Sequence, residues 1–599
     1  MSQLLLASIG FIPWGVYIIL TYYSKNFSQI DHLESASGYS GYLLWLGFIY
    51  LVYKTVSLFL NKKNVTFTFW HIAWYFFLHL LLVASIYTSW QNVAGSPFFG
   101  ASWPSTITLF SHILTLLVYP IFLAFLWRAV GYSVLKYIHW WDLIPLRIRI
   151  GGETSIGLWI FATGLLLIGT LGYFTLNGLL LICGILILLG VPGWIETYNN
   201  IKNNKISFPQ HESDSDSVLK LINPQLLTAE FAFIVVSFLI SVALINAIRP
   251  MPIGWDDLGV YMNFPRIMAL TGSSLEGAGM FTWQLITGSG FLWDDIAANA
   301  FYVNQLGWIL SVIIITSVLS YLLERKDMKY IISLPLLLAS IYYMMPMTVF
   351  QQAKDMKLDP ALMMVSVSAF GIFWHALHQK FDQKWFLPLI GIAGLIIGIA
   401  FGIKFTTLIL IIAALSLVAY RILWLYWFLG FFFVFLWIFT GGNLWKQMNV
   451  WMPTENIDLI HTITLSCICI GIIFLSLSAW KEWSKKFYSW ILSNIVLIIG
   501  IFIALTPWFI KNGYESAAFT SNQKWGILDV LLIGNSWIGF WKYPQIYSEE
   551  EYNEKRKNLQ SATITNDGKS QNEDFSRYFG QESGLNNYLK LPANLTFQK

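Results

Sequence analysis

FLPLIGIAGLIIGIAFGI, residues 386–403, is a run of eighteen residues with no charged or hydrogen-bonding side chain, and Lys384 and Lys404 flank it. In lipid every backbone amide must be satisfied within its own segment, which leaves the helix as the conformation for one isolated apolar run. Eighteen helical residues reach about 27 Å, close to the roughly 30 Å hydrocarbon thickness of a bilayer. The stretch therefore predicts a helix that crosses a membrane, with a lysine near each end. The rest of the chain follows the same pattern. Of its 599 residues 56% are hydrophobic and 11% charged, against roughly 25% charged in a soluble protein. Aromatic residues make up 17%, and such rings concentrate where headgroups meet hydrocarbon. A soluble enzyme is excluded.

Working outward with a window of about 20 residues yields about fifteen candidate spans. Six lie near 4–23, 41–60, 68–90, 106–130, 155–174 and 177–198. Nine follow near 227–248, 303–323, 330–346, 359–378, 386–403, 405–421, 423–440, 459–479 and 487–509. The first run lacks a basic leader and a small-residue cleavage pattern, so it is expected to remain as an anchor. Lys and Arg fall in alternate loops: Lys54, Lys62 and Lys63; Arg128, Lys136, Arg147 and Arg149; Lys202, Lys205 and Lys220; Arg325, Lys326 and Lys329; Lys380 and Lys384; Arg421; Lys481, Lys485 and Lys486. Short cytoplasmic loops retain such residues. The expected protein is thus a multi-pass cell-membrane protein with its N-terminus in the cytoplasm and its C-terminal tail outside.

The polar stretch 199–226 divides the chain. It predicts an N-terminal membrane module over 1–198, a cytoplasmic linker over 199–226, a membrane core over 227–510 with outward loops 249–302 and 344–359, and an extracytoplasmic tail over 511–599. A single bundle with one long loop is the alternative. The net charge of +4 is dispersed, with no basic tract to follow a phosphate backbone, so no nucleic-acid partner is expected. Cys183, Cys467 and Cys469 sit in apolar runs and suggest neither a disulfide framework nor a thiolate metal site. The chain has no G-x-x-x-x-G-K-[ST] run, so direct use of ATP is not expected. His375 and His378 stand one turn apart at the cytoplasmic end of a span, where solvation is the simplest expectation.

The chemistry concentrates in RPMPIGWDDLGVYMNFPRIMA, 249–269. Asp256 and Asp257 lie at the membrane surface beside Trp255, Tyr261 and Arg266. Carboxylates next to hydrocarbon are costly unless they face water, a cation or each other. One of them could accept the proton of an attacking hydroxyl, the pair could hold Mg²⁺ or Mn²⁺ through hard oxygen ligands, or the pair could simply cap an interfacial helix. The next outward loop, MMPMTVFQQAKDMKLDPALMM (344–364), carries Lys354, Lys357 and Asp359. Asp359 and Pro360 suit the first turn of a helix. Two lysines in an outward loop run against the positive-inside rule and suit a lipid-linked phosphate. Lys404 is a third outward cation, there either to snorkel or to join them.

This order resembles the GT-C superfamily of membrane glycosyltransferases, in the branch of protein O-mannosyltransferases and lipid A aminoarabinose transferases: an acidic pair in an outward loop, a K-x-x-K-L-D loop, GLIIGIAFGIKFTTL (394–408), then LTPWFIKNG (505–513). The resemblance covers about residues 225–515. It implies an all-α polytopic fold of about fifteen transmembrane helices, a GT-C-like core with an extra N-terminal six-helix module. It also implies a polyprenyl-phosphate-linked monosaccharide as donor, used at the outer face on a lipid, glycan or protein acceptor. Carried over, Asp256 and Asp257 take the family's catalytic acidic positions, as base or metal ligands. Arg266, Lys354, Lys357, Asp359 and Lys404 take substrate-binding roles. Two other classes compete: a transporter or lipid flippase, which would place its ionisable groups at mid-membrane, and a non-catalytic membrane scaffold.

Overall fold

The computed structural model describes residues 64–68, 105–138, 141–203, 205–209, 224–248, 261–274, 280–294, 296–325, 332–344, 356–378, 385–440, 468–477 and 485–519, with scattered residues of 72–88, 348 and 466. In chain order these form β1 (Asn64–Thr68), α1 (Thr106–Leu135), α2 (Leu146–Thr170), α3 (Leu176–Leu189), α4 (Val191–Asn203), β2 (Lys205–Pro209), α5 (Pro224–Asn246), α6 (Asn263–Thr271) and α7 (Thr282–Trp293). They continue with α8 (Ala297–Glu324), α9 (Ser333–Met344), α10 (Asp359–Leu377), α11 (Phe386–Ile403), α12 (Leu408–Thr440) and α13 (Lys485–Phe519). Among the described residues six helices are long and apolar enough to cross a membrane, or seven if the bent pair α3 and α4 is one span. The chain has the build of a helical membrane protein.

One addition to the helices is a two-stranded ribbon. NVTFT and KISFP alternate apolar and polar residues and are rich in β-branched and aromatic types, and they pair antiparallel with Val65 opposite Phe208. Part of the expected linker is therefore ordered against the loop after residue 60. Side chains from both sides of that linker also share one core, in which Trp127, Phe161 and Leu179 join Trp283, Ile314, Ile372 and Ile397.

Lipid is as apolar as leucine, so helices in a bilayer associate through close packing at small residues. α11 supplies such a face. A Cβ on Gly394 would overlap the Leu497 carbonyl oxygen of α13, one on Gly398 would meet Ile501, and one on Gly402 would approach Leu505 and Trp508. Residue numbers rise together along both helices, so α11 and α13 run parallel. The chain between them must then cross the bilayer an odd number of times.

That parity bears on a difference from the sequence. Two spans, 405–421 and 423–440, are expected on either side of Arg421, whereas α12 is one helix of 33 residues. The run Tyr420–Trp424 holds neither Gly nor Pro, and one arginine does not break a helix. Arg421 donates through Nε to the Leu377 carbonyl at 2.6 Å, which satisfies a last carbonyl of α10 and puts a cation at its negative end. Joining two of the three crossings expected between α11 and α13 would leave two, an even number, whereas parallel α11 and α13 require an odd one.

Contacts sort the chain ends into two groups. At one end the Phe174 amide donates to the Gly272 carbonyl and the Ser274 amide to that of Gly169, and Lys404 meets Asp359. At the other, Arg147 pairs with Glu324, Arg149 with Glu196, and Arg421 reaches Leu377. Loops assigned to one side by charge alternation meet each other in these contacts.

Candidate functional site

Asp256, Asp257 and Lys354 lie outside the described residues. The structure places the other candidates as follows. Asp359 occupies the first turn of α10 with Pro360 beside it, and Lys404 is the C-cap residue of α11. Antiparallel packing brings these two ends together, and the Lys404 ammonium donates to Asp359 Oδ1 at 2.7 Å. Each charge also complements its own helix: an acid at a positive N-terminus, a cation at a negative C-terminus. Both side chains are part-exposed, at 38% and 27%, so the pair contributes on the order of 0.2–1 kcal/mol. Snorkelling is thus not what Lys404 does. It spans 45 positions to a partner the spacing did not indicate.

Lys357, two residues before Asp359, sets its ammonium 5.4 Å from the centroid of the Tyr261 ring, a cation–π distance. Arg266 is exposed on α6. A further lysine joins this end. Lys511, in the quoted stretch LTPWFIKNG, is only 2% exposed and lies 5.4 Å from the centroid of the Phe281 ring. Phe281 packs edge-on against Trp508, whose Nε1 donates to Thr282 Oγ1 at 3.1 Å. A Cβ on Gly402, two residues before Lys404, would lie 2.9 Å from that same hydroxyl oxygen. The starts of α7 and α10 and the ends of α11 and α13 therefore converge.

Beneath them α7 packs antiparallel on the start of α8. Trp283 Nε1 donates to Asn304 Oδ1 at 2.8 Å, and Gly307 lets the backbone of Ala361 and the Trp283 ring approach. The first turn of α10 is fixed by this contact. Lys357, Lys404 and Lys511 bring three ammonium groups to the region, and Lys404 is the one paired with Asp359. Phosphate oxygens are natural ligands of clustered ammonium groups.

A second charged cluster sits at the opposite end, and the sequence did not indicate it. Arg128 and Arg149 count as loop cations in the charge alternation, but α2 begins at Leu146 and carries Arg149 and Glu153 one turn apart inside it. Glu153 is fully buried. It receives Trp141 Nε1 at 3.1 Å, lies 3.1 Å from Arg149 Nε and 3.5 Å from Arg128 Nε. Arg149 also donates to Glu196 Oε1 at 2.9 Å and pairs with Asp142, and Arg128 donates to Thr197. The network joins α1, α2, α4 and the turn at Trp141. A glutamate four residues after an arginine at the head of an apolar run was the available signal.

His375 also departs from expectation. It is buried, with Nδ1 2.7 Å from the Tyr321 hydroxyl, whereas His378 is exposed and lies against the Trp374 ring. No group of three or more His, Cys, Asp or Glu side chains suited to a metal ion occurs among the described residues. Compared with protein-family models, with curated proteins and with solved structures, the chain matches none.

Proposed function

We propose that the chain is a GT-C-like glycosyltransferase, which moves a monosaccharide from a polyprenyl-phosphate donor to an acceptor at the outer face of the membrane. One observation carries the reading: Lys404 of one quoted motif pairs with Asp359 of another, and Lys357, two residues before Asp359, and Lys511 of a third motif belong to the same end. Tyr261 follows Asp257 by four residues, and four extended residues reach at most about 14 Å. The acidic pair, in this reading, works at the lysine end. In this reading the acceptor hydroxyl gives its proton to Asp256 as its oxygen attacks the anomeric carbon. The bond from that carbon to the donor phosphate breaks, and the phosphate leaves with the electron pair. A phosphate leaving group needs positive charge more than a general acid, and Lys357, Lys404 and Arg266 supply it together with Lys354. Asp257 stands beside the base, or shares Mg²⁺ or Mn²⁺ with it.

The same proposal includes the finer architecture: a GT-C-like core preceded by a six-helix module, with about fifteen spans and an odd number of crossings between α11 and α13. It includes the orientation as well, with the N-terminus cytoplasmic and the site and tail extracytoplasmic. A cysteine at Ser273 should react with an impermeant thiol reagent in intact cells, and one at Asn203 should react only after the membrane is opened. The opposite pattern would put the lysine end in the cytoplasm and sink the donor assignment.

The function itself is tested with membranes containing the full chain and labelled polyprenyl-phosphate sugars. Protein-dependent loss of the labelled lipid, with sugar appearing on an acceptor fraction, is expected. If every donor survives while labelled lipid crosses the bilayer, the transporter or flippase reading replaces this one. That reading has one observation in its favour, the buried Glu153 inside a span. Two arginines and an indole hold this carboxylate near the end of the helix, not at mid-membrane where transport sites lie.

A further inference from the structure

α4 leaves α3 at a bend of 68°, and its polar side faces the protein. Glu196 accepts from Arg149 at 2.9 Å, Thr197 accepts from Arg128 at 3.0 Å, and the Gly193 amide donates to Ser133 Oγ at 3.0 Å. Val191, Trp194, Ile195 and Tyr198 recur at i, i+3, i+4 and i+7 and so share one stripe of the helix. That stripe is turned outward, with Ile195 59% and Tyr198 64% exposed. A helix with polar groups inward and apolar groups outward is built to lie against hydrocarbon, not water. Lys202, one turn beyond Tyr198, is exposed in its last turn. Along α4 the outward side thus passes from aliphatic to aromatic to cation, the sequence of groups that meets lipid headgroups.

Trp194 also closes a groove. With Phe77 and the side of α1 from Leu114 to Phe125 it lines an apolar cavity of about 420 Å³, a volume typical of small-ligand sites. Eleven helical rises make the groove about 16 Å long, close to the roughly 15 Å depth of one leaflet's hydrocarbon. Phe125 stands three residues before Arg128, where the apolar stretch of α1 gives way to the charged cluster. Val118 and Ile121 are exposed along the groove, so it opens sideways. Its length and lining suit one acyl chain, and Lys202 sets the sign of the headgroup.

We infer that this groove seats one chain of an anionic phospholipid from the leaflet on the Arg128 side, with the lipid phosphate at Lys202. The orientation proposed above makes that leaflet the cytoplasmic one, and nothing else in the inference depends on the proposed activity. A lipid held there packs Trp194 and α4 against Arg128 and Arg149, so its binding stabilises the folded chain by linkage.

The test adds phosphatidylglycerol, or phosphatidylcholine with the same chains, to the purified and delipidated full chain in detergent. One phosphatidylglycerol should be retained per chain and raise the melting temperature, and phosphatidylcholine should need roughly ten times the concentration, as for loss of a hydrogen bond to a charged group. Lys202→Gln should abolish that preference. Val118→Trp fills the groove from the lipid side and should lose the retained lipid, whereas Leu181→Trp, which adds the same bulk to the exposed face of α3, should keep it. Independently of these variants, phosphatidylglycerol with a photoreactive acyl chain should label residues 114–125 and Trp194 in the wild-type chain. Equal affinity for the two lipids overturns the assigned headgroup. Retention by Val118→Trp as in wild type, loss by Leu181→Trp as well, or label spread evenly over the lipid-facing helices overturns the seat.

Discussion

Asp256→Asn is expected to lower sugar transfer by about 10²–10⁴-fold, the usual worth of a positioned general base. The amide keeps the shape and hydrogen-bonding reach of the carboxylate but does not take up the acceptor's proton. Donor binding, which the proposed reading assigns to the lysines, should survive. Asp257→Asn separates the two roles open to the pair. If the two carboxylates hold a divalent cation, both substitutions are damaging and added Mg²⁺ or Mn²⁺ restores part of the rate. If Asp256 acts as base alone, Asp257→Asn is mild and added metal changes nothing. Variants are compared at equal folded protein in the membrane. Wild-type transfer by Asp256→Asn would remove the acidic pair from the chemistry and return weight to the transporter and scaffold readings.

The legible part of this protein is the part that lipid enforces. Residues 386–403 and 359–378 were bounded by charge and length, and α11 and α10 fall on them almost residue for residue, because an apolar run in hydrocarbon has few alternatives to a helix. Asp359 and Pro360 gave away the start of α10 for the same local reason. Pairings between distant positions were not legible. Nothing around Lys404 names Asp359 as its partner, and the glycine face of α11 becomes meaningful only against Leu497 and Ile501 of α13. Arg421 shows the converse. Its charge suggested a loop, but α10 offered it a carbonyl, and the helix continued. Lys511 lay inside a quoted motif without a role because its burial depends on Phe281, 230 positions earlier by sequence.

Glu153 is where an arginine count misled most, and it carries the second large expected effect. Breaking a buried ion pair by removing one partner strands the other charge, at about 3–5 kcal/mol. Glu153→Leu should therefore destabilise the protein by that order in reversible unfolding from detergent, since it strands Arg128 and takes the acceptor from Trp141 Nε1. Arg149 suffers less, because Asp142 and Glu196 remain beside it. Arg128 is thus the residue whose removal should compensate. Arg128→Met together with Glu153→Leu should be clearly more stable than the sum of the single effects, by roughly 1–3 kcal/mol of coupling for neighbours in one network. The cluster lies at the end opposite the Asp359–Lys404 pair, so transfer per folded molecule should stay at the wild-type level. A loss below about 1 kcal/mol for Glu153→Leu would mean that water or lipid headgroups already solvate this end. Full stability with lost transfer would instead make Glu153 part of the working machinery, as the transporter reading requires.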